Sequence, residues 1–242
     1  MRERVVGRIP VLECLRAGKR PARRLFVMRG AQGIDDVLAA ARGVPIEETD
    51  RNRLDQLAGG VVHQGVVLEA DALPVLDAAL WSHGPFPEQA VVVILDGVED
   101  PHNFGAIVRS AAACGACAVL FGKDRSAPLS SAAMKSAAGA MEYIDLVQAT
   151  NVSRAINDLK KAGFWIAGLD ADADKTIWEA DLKGRIGLVI GSEGKGIRRL
   201  VRENCDFHLR IPLSGPITSL NASVSAAIAI AECLRQRNAP AK

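Results

Sequence analysis

Side chains able to do chemistry are concentrated in three polar loops of this 242-residue chain. The first, DGVEDPHNFGAIVRS (96–110), offers Asn103 as an N-cap for the helix that follows. It also sets Arg109 among Ala106, Ile107, Val108, Ala111 and Ala112. An arginine so surrounded either snorkels to the surface or is held beside a reaction site, where its planar fork can grip an oxyanion. The second loop, LVIGSEGKGI (188–197), places Glu193 in a glycine-rich turn that a ligand can approach closely along the backbone. It lacks the G-K-[ST] of a P-loop, and no strand–GxGxxG–helix occurs elsewhere. Standard nucleotide sites, and the usual glycine-rich site of open-sheet methyltransferases, are therefore not expected. The third, IPLSGPITSLNASVSAAIAIAE (211–232), carries three capable helix caps, Thr218, Ser219 and Asn221. The helix after it, 222–231, is apolar nearly all round and is expected to be covered on several sides. A polar turn buried beside it would need partners, and a polar ligand can supply them.

Other reactive groups are less promising. The five cysteines (Cys14, Cys114, Cys117, Cys205, Cys233) are odd in number and scattered, unlike a disulfide framework. Cys114 and Cys117 form a C-x-x-C, but no second pair or nearby histidine completes a zinc set, so both are expected to pack as small apolar residues. His63, His83, His102 and His208 are isolated, and no metal is expected. Net charge is only +2, yet residues 1–29 hold nine Lys/Arg against Glu3 and Glu13. Arg8, Arg16, Lys19, Arg20, Arg23 and Arg24 fall in or beside CLRAGKRPARRLFV, which has no acid to interleave with them. Such clustering is the footprint of a phosphate-backbone binder, so these six are candidate contacts to RNA or DNA, with a solvated helix face as the alternative.

The elements that must position these loops follow from apolar periodicity and the placing of Gly and Pro. Residues 1–69 read as a small α/β domain: helix GRIPVLECLRAG, strand RRLFVM, helix IDDVLAAARG, strand VPIEET, helix RNRLDQLAG, strand HQGVVLEA. Residues 70–89 are turn-rich and read as a linker. From Ala90 to the end, strands such as AVVVILD and IGLVIG alternate with helices, which predicts a mostly parallel sheet flanked by helices. Ligands of such sheets gather at the carboxyl ends of the strands, where all three loops fall. Hydrophobic residues make up 49% and charged residues 24%, as in globular proteins. No apolar run is long enough to span a bilayer and MRERVVGRIP has no secretion-signal core, so a cytoplasmic protein is expected.

Together and in this order, DPHNFGAIVRS, VIGSEGKGI and IPLSGPITSLNASVSAAIAIAE resemble the three signature motifs of the SpoU (TrmH-like) family of RNA ribose methyltransferases. The likeness spans the chain. VHQGVV, KDRSAPLS and DLVQATNVSRAI are similar to the branch that carries an N-terminal RNA-binding domain and acts on a guanosine of 23S rRNA. The common SLNVSVA stands here as SLNASVS, a change at Ala222 and Ser225.

The resemblance implies a C-terminal sheet tied into a trefoil knot, S-adenosylmethionine bound in the knot's loops, and a homodimer. It places Gly191, Ile211, Leu213, Ser219, Leu220 and Asn221 at the cofactor and Asn103, Arg109, Glu193 and Asn221 at the reacting methyl, with Arg109 in the position of the catalytic arginine. The implied reaction is attack of a guanosine 2′-hydroxyl of 23S rRNA, or of a large-subunit precursor, on the sulfonium methyl. A tRNA ribose methyltransferase shares these motifs, and a non-catalytic ribosome-assembly factor is the alternative from another class.

Overall fold

The computed structural model describes residues 2–124, 126 and 129–238. Arg125, Ala127 and Pro128 of KDRSAPLS, and residues 239–242 beyond Arg237, lie outside the described residues. The chain divides into two compact units, Met1–Pro74 with Ala138–Tyr143, and Val75–Ala137 with Ile144–Lys242.

The first unit contains β1 (Arg2–Val6), α1 (Arg8–Ala17), β2 (Ala22–Met28), α2 (Asp35–Ala40), β3 (Ile46–Thr49), α3 (Arg51–Ala58) and β4 (Val66–Asp71). Its sheet runs β1-β4-β2-β3, with β4 antiparallel to β1 and β2, and β2 parallel to β3. Alternation along β2 and β4 serves two cores. Leu25, Val27, Val66, Leu68 and Ala70 pack with Val11, Cys14 and Val37, while Phe26 and Val67 pack with Leu54 and Leu57. Strand β1 was not expected: RERVV has three charged residues and only two apolar ones, and its place is set by pairing with β4.

The second unit contains β5 (Leu76–Asp77), α4 (Ala78–Trp81), β6 (Val91–Asp96), α5 (Pro101–Ala113), β7 (Ala118–Gly122), α6 (Ser131–Ala137), β8 (Asp145–Ala149), α7 (Val152–Lys161), β9 (Trp165–Leu169), β10 (Ile186–Gly191), α8 (Arg199–Glu203), β11 (Phe207–Leu209) and α9 (Ala222–Asn238). Its seven strands are all parallel, in the order β11-β9-β10-β6-β7-β8-β5. The central strands β6 and β7 are fully buried, as expected for apolar runs covered on both faces. Residues 70–89 are not merely a linker, because β5 pairs with β8 and Asp77 caps α4. From β6 the chain builds outward through β7 and β8; it then crosses to β9 and returns to place β10 against β6. The direction of winding thus reverses between β6 and β10, and such a switch point opens a ligand crevice at the carboxyl ends.

Two expectations about the third loop are corrected. Residues 212–219 are exposed throughout, because no other part of the described chain covers this Gly/Pro-broken turn. Helix α9 buries one stripe that includes Ala222, Ala226, Ala229 and Ile230, while Val224 stays 45% exposed. Among the described helices none is long and apolar enough to cross a membrane.

Candidate active site

The crevice at the switch point is built by the loop after β6 and the loop after β10. Strands β6 and β10 end side by side, with Asp96 opposite Gly191. Asp100, not Asn103, caps α5: its carboxylate accepts from His102 N (3.1 Å) and Asn103 N (3.3 Å), with Pro101 in the first turn, where a missing N–H costs nothing. That shift moves Asn103 inside the first turn, buried and free to aim its amide across the crevice.

After β10, Ser192 and Gly196 exchange backbone hydrogen bonds (3.1 and 2.9 Å), closing a tight hairpin with Glu193, Gly194 and Lys195 at its tip. Gly194 holds φ +77°, a left-handed value that favours glycine. Gly191 has a different reason to be glycine: a Cβ there would lie 2.2 Å from the Gly196 carbonyl carbon and 2.4 Å from Ile197 N.

Three residues from three distant segments meet at this hairpin. Glu193 Oε1 accepts from Asn103 Nδ2 (3.0 Å), Asn221 Nδ2 (2.5 Å) and Ala222 N (3.4 Å). Asn221 Nδ2 also donates to Asn103 Oδ1 (2.9 Å). Asn221 Oδ1 accepts from Ser223 N (2.9 Å), Ser223 Oγ (2.6 Å) and Val224 N (3.4 Å), so Asn221 is the cap of α9 and also a tie between loops. One oxygen of Glu193 is thereby saturated and its orientation set, while Oε2 has no hydrogen-bond partner among the described residues. The cluster borders a pocket of about 590 Å³ lined by Gly97, Val98, Glu99, Asp100, Asn103, Ser192, Glu193, Lys195, Arg198 and Ala222. That volume is in the usual range for a cofactor-sized ligand.

Other expected site residues lie elsewhere. Arg109 is exposed, six residues beyond Asn103 on α5 and so about 120° around the helix, and has no hydrogen bond or ion pair among the described residues. Gly191, Ile211 and Leu220 are half-buried, and Leu213 and Ser219 are exposed; none of these five lines the pocket.

The expected RNA contacts are more engaged than their sequence suggests. Arg20 is buried and bound to Glu142 Oε1 (3.1 and 2.7 Å), Glu3 Oε2 (2.8 Å) and the Asp71 carbonyl (3.1 Å). Its guanidinium is structural and out of reach of a phosphate. Arg23 forms a two-pronged pair with Asp71, Arg24 pairs with Glu47, and Arg16 with Glu13. Arg8 donates to the carbonyls of Gln64 (3.0 Å) and Gln32 (2.6 Å), and Lys19 is likewise not free. Apart from Glu13, three residues before Arg16, the acids arrive from other segments, and the first unit holds twelve Lys/Arg against eleven Asp/Glu.

The cysteines are all free thiols. Cys117 Sγ donates to the Val91 carbonyl, and burial pushes its pKa up to about 11. Among the described residues no cluster of His, Cys, Asp or Glu could hold a metal.

Sequence reading missed two features of the site. Asp96, fully buried at the end of β6, accepts from Arg198 N (2.7 Å), Nε (2.7 Å) and Nη2. A lone carboxylate closing an otherwise apolar strand was the available signal. The loop after β9 was also passed over, although β9 lies between β10 and β11. There Asp170 pairs with Arg202 (2.7 Å), and Arg210 donates to the carbonyls of Ala173 (2.8 Å) and Asp174 (2.5 Å).

A parallel α/β unit with a polar cluster at its switch point is the architecture of a ligand-binding enzyme domain. The chain belongs to the SpoU rRNA methylase family, whose model matches residues 90–231; a second model, RNA 2′-O ribose methyltransferase substrate binding, matches residues 4–76. It is 41% identical to the 23S rRNA (guanosine-2′-O-)-methyltransferase RlmB of Pseudomonas aeruginosa over 97% of each chain. It is 44% identical to an uncharacterized tRNA/rRNA methyltransferase of Mycolicibacterium vanbaalenii, over 97% of this chain and 77% of that protein. The SpoU methyltransferase AviRb of Streptomyces viridochromogenes, solved with AdoMet, shares the fold at TM-score 0.80 and 23% identity, over 98% of this chain and 90% of that one.

Proposed function

We propose that this chain transfers a methyl group from S-adenosylmethionine to the ribose 2′-hydroxyl of a guanosine in 23S rRNA, in the cytoplasm and as a homodimer. The observation that carries the reading is the cluster of Asn103, Glu193 and Asn221 at the switch-point crevice, in a chain that matches the P. aeruginosa enzyme nearly end to end.

The strand-end edge fits the cofactor. A pocket of about 590 Å³ adjoins Asn103 and Glu193 at this edge, and Gly191, which ends β10, and Ile211, which follows β11, lie outside its lining on the same edge. Backbone groups of Gly191, Ile211 and Leu220 would hold the adenine, with Leu213 and Ser219 as further contacts. When bound, S-adenosylmethionine supplies an electrophilic methyl on a sulfonium. The chain's part is to hold the ribose hydroxyl and take its proton. Glu193 is set up for the second task, because Asn103 and Asn221 fix Oε1 and leave Oε2 to accept. Arg109 cannot serve as a base, since a guanidinium keeps its proton. It remains charged and unengaged among the described residues, suited to gripping the phosphate beside the target ribose. Holding two reactants in line is worth an effective concentration of about 10⁵ M or more.

The 4–76 substrate-binding match supports the first unit as the RNA-gripping domain. The half-exposed apolar residues Leu213, Ile217 and Val224, at and before the start of α9, support pairing with a second copy. The trefoil knot implied by the motifs belongs to the same reading.

The test is incubation of labelled S-adenosylmethionine with unmodified 23S rRNA transcript and, separately, with unmodified bulk tRNA. A ribose 2′-O-methyl blocks alkaline cleavage, so the target appears as one gap in a hydrolysis ladder of 23S rRNA. Label on tRNA alone refutes the rRNA assignment, and label on a base refutes the ribose mechanism.

A further inference from the structure

From the pocket geometry we infer that Arg198, fixed by the buried carboxylate of Asp96, is a second oxyanion clamp of this site and grips a backbone phosphate of the RNA substrate. The inference rests on the methyl-transfer reading above and adds a residue that neither Arg109 nor the motif carboxamides supply.

Asp96 has no solvent exposure, and a buried charge is costly unless paired and hydrogen-bonded. Among the described residues its compensation comes from one residue 102 positions away: Oδ2 accepts from Arg198 N, and Oδ1 from Nε and Nη2. Well-packed apolar groups usually fill such a position at equal or better stability, so a buried pair at the rim of a ligand pocket calls for another reason. The geometry supplies one. A guanidinium has five N–H donors, and Asp96 takes two of them. Nη1 and the second Nη2 hydrogen remain, on a side chain that is 43% exposed and lines the pocket. The pairing also raises the pKa of Arg198 above its ordinary value, so the outer edge stays charged.

Of the pocket's other charges, Glu99 and Glu193 Oε2 have no hydrogen bond or ion pair among the described residues, and neither is bonded to Arg198. Both Asp100 oxygens are committed to the N-terminus of α5, and Glu193 Oε1 to the two asparagines. Lys195, at the hairpin tip, adds a cation on the same wall. A planar, locked fork beside an ammonium is suited to an oxyanion, phosphate or carboxylate. Two sources offer one, the RNA backbone and the carboxylate of the cofactor's methionine moiety. The exposure of Arg198 and its neighbour Arg199 to solvent favours the larger ligand, which approaches from outside.

The experiment uses the full chain, as wild type, Arg198→Lys and the double variant Asp96→Asn/Arg198→Gln. In the double variant the buried charge is gone, while Asn still offers an acceptor to the backbone N–H of residue 198. Melting curves establish folding, calorimetry gives the S-adenosylmethionine Kd, and RNA binding to a 23S rRNA transcript is measured from 50 to 200 mM KCl. The double variant should keep the cofactor Kd within about twofold, weaken RNA binding about tenfold, and flatten the log–log salt slope by about one. The loss should fall on KM for RNA rather than on kcat. An unchanged salt slope, or a loss confined to kcat, overturns the clamp and leaves Asp96–Arg198 as a hairpin anchor. A cofactor Kd weakened more than tenfold assigns the oxyanion to the cofactor and likewise overturns it. Should the double variant not fold, Arg198→Lys decides, because it keeps a cation beside Asp96. Its KM for RNA should rise severalfold with the salt slope retained, and an unchanged KM overturns the clamp. Failure of the wild type to methylate any RNA would refute the methyl-transfer reading instead, and the salt slope could still be read.

Discussion

Replacing Asn221 separates its two jobs, because serine and alanine remove different parts of them. Serine caps a helix about as well as asparagine, so Asn221→Ser should keep the N-terminus of α9 while removing Nδ2. The loss is one hydrogen bond to the Glu193 carboxylate and one to Asn103 Oδ1. Residues 193 and 221 are exposed, so water replaces much of the first, leaving about 1 kcal/mol; Asn103 is buried, and its stranded oxygen costs about 1 kcal/mol more. Asn221→Ala suffers both losses and also the cap, about another 1 kcal/mol. At 2–4 °C per kcal/mol for a chain of this size, the serine variant should melt about 4–8 °C low and the alanine variant about 6–12 °C low. Activity should not follow that order. Both variants release Glu193 Oε1 from one of its three donors, so both should lose about 10²-fold in kcat, the scale of a displaced general base. Differential scanning calorimetry and single-turnover methyl transfer read the two effects. A serine variant with kcat within threefold of wild type would refute the role of the amide in aiming Glu193. Equal melting of the two variants would refute the capping argument.

Three further outcomes are expected. Arg20→Met strands Glu142 and Glu3 and should destabilise the chain by about 3–5 kcal/mol in urea unfolding, whereas Arg24→Ala, at an exposed pair with Glu47, should cost less than about 1 kcal/mol. Gly191→Ala drives a Cβ into the Gly196 carbonyl and must shift the hairpin, so the melting point should fall by about 2–12 °C and the calorimetric Kd for S-adenosylmethionine should weaken at least tenfold. Burial pushes Cys14 and Cys117 up to about 11 and Cys205 and Cys233 up to about 12; at pH 7.5 all four stay protonated, and mass spectrometry after iodoacetamide should find them unlabelled until the chain is unfolded.

Much of the catalytic unit was legible without coordinates because its signals are short-range. The apolar runs at 91–96 and 186–191 can only be buried strands, and alternation with helices makes the sheet parallel. Asn103, Glu193 and Asn221 stood out as polar residues at strand ends, where a parallel sheet brings its loops together, and the order of the three motifs carried the family. What only the tertiary structure decided involves partners far apart in sequence. The cap of α5 fell to Asp100 because its carboxylate reaches two helix N–H groups, which then freed Asn103 to face Glu193 ninety residues on. Arg20 read as one more base in an uninterrupted basic run, yet the fold buries it against Glu142, 122 residues away. The same long reach pairs Arg23 with Asp71 and Arg24 with Glu47, and joins Asp96 to Arg198. Charge pairing depends on distance in space, and a linear pattern reports that distance only within a helical turn or along one strand. The neighbours that neutralise, bury or aim a charged side chain in this protein were set by the order of strands in its two sheets.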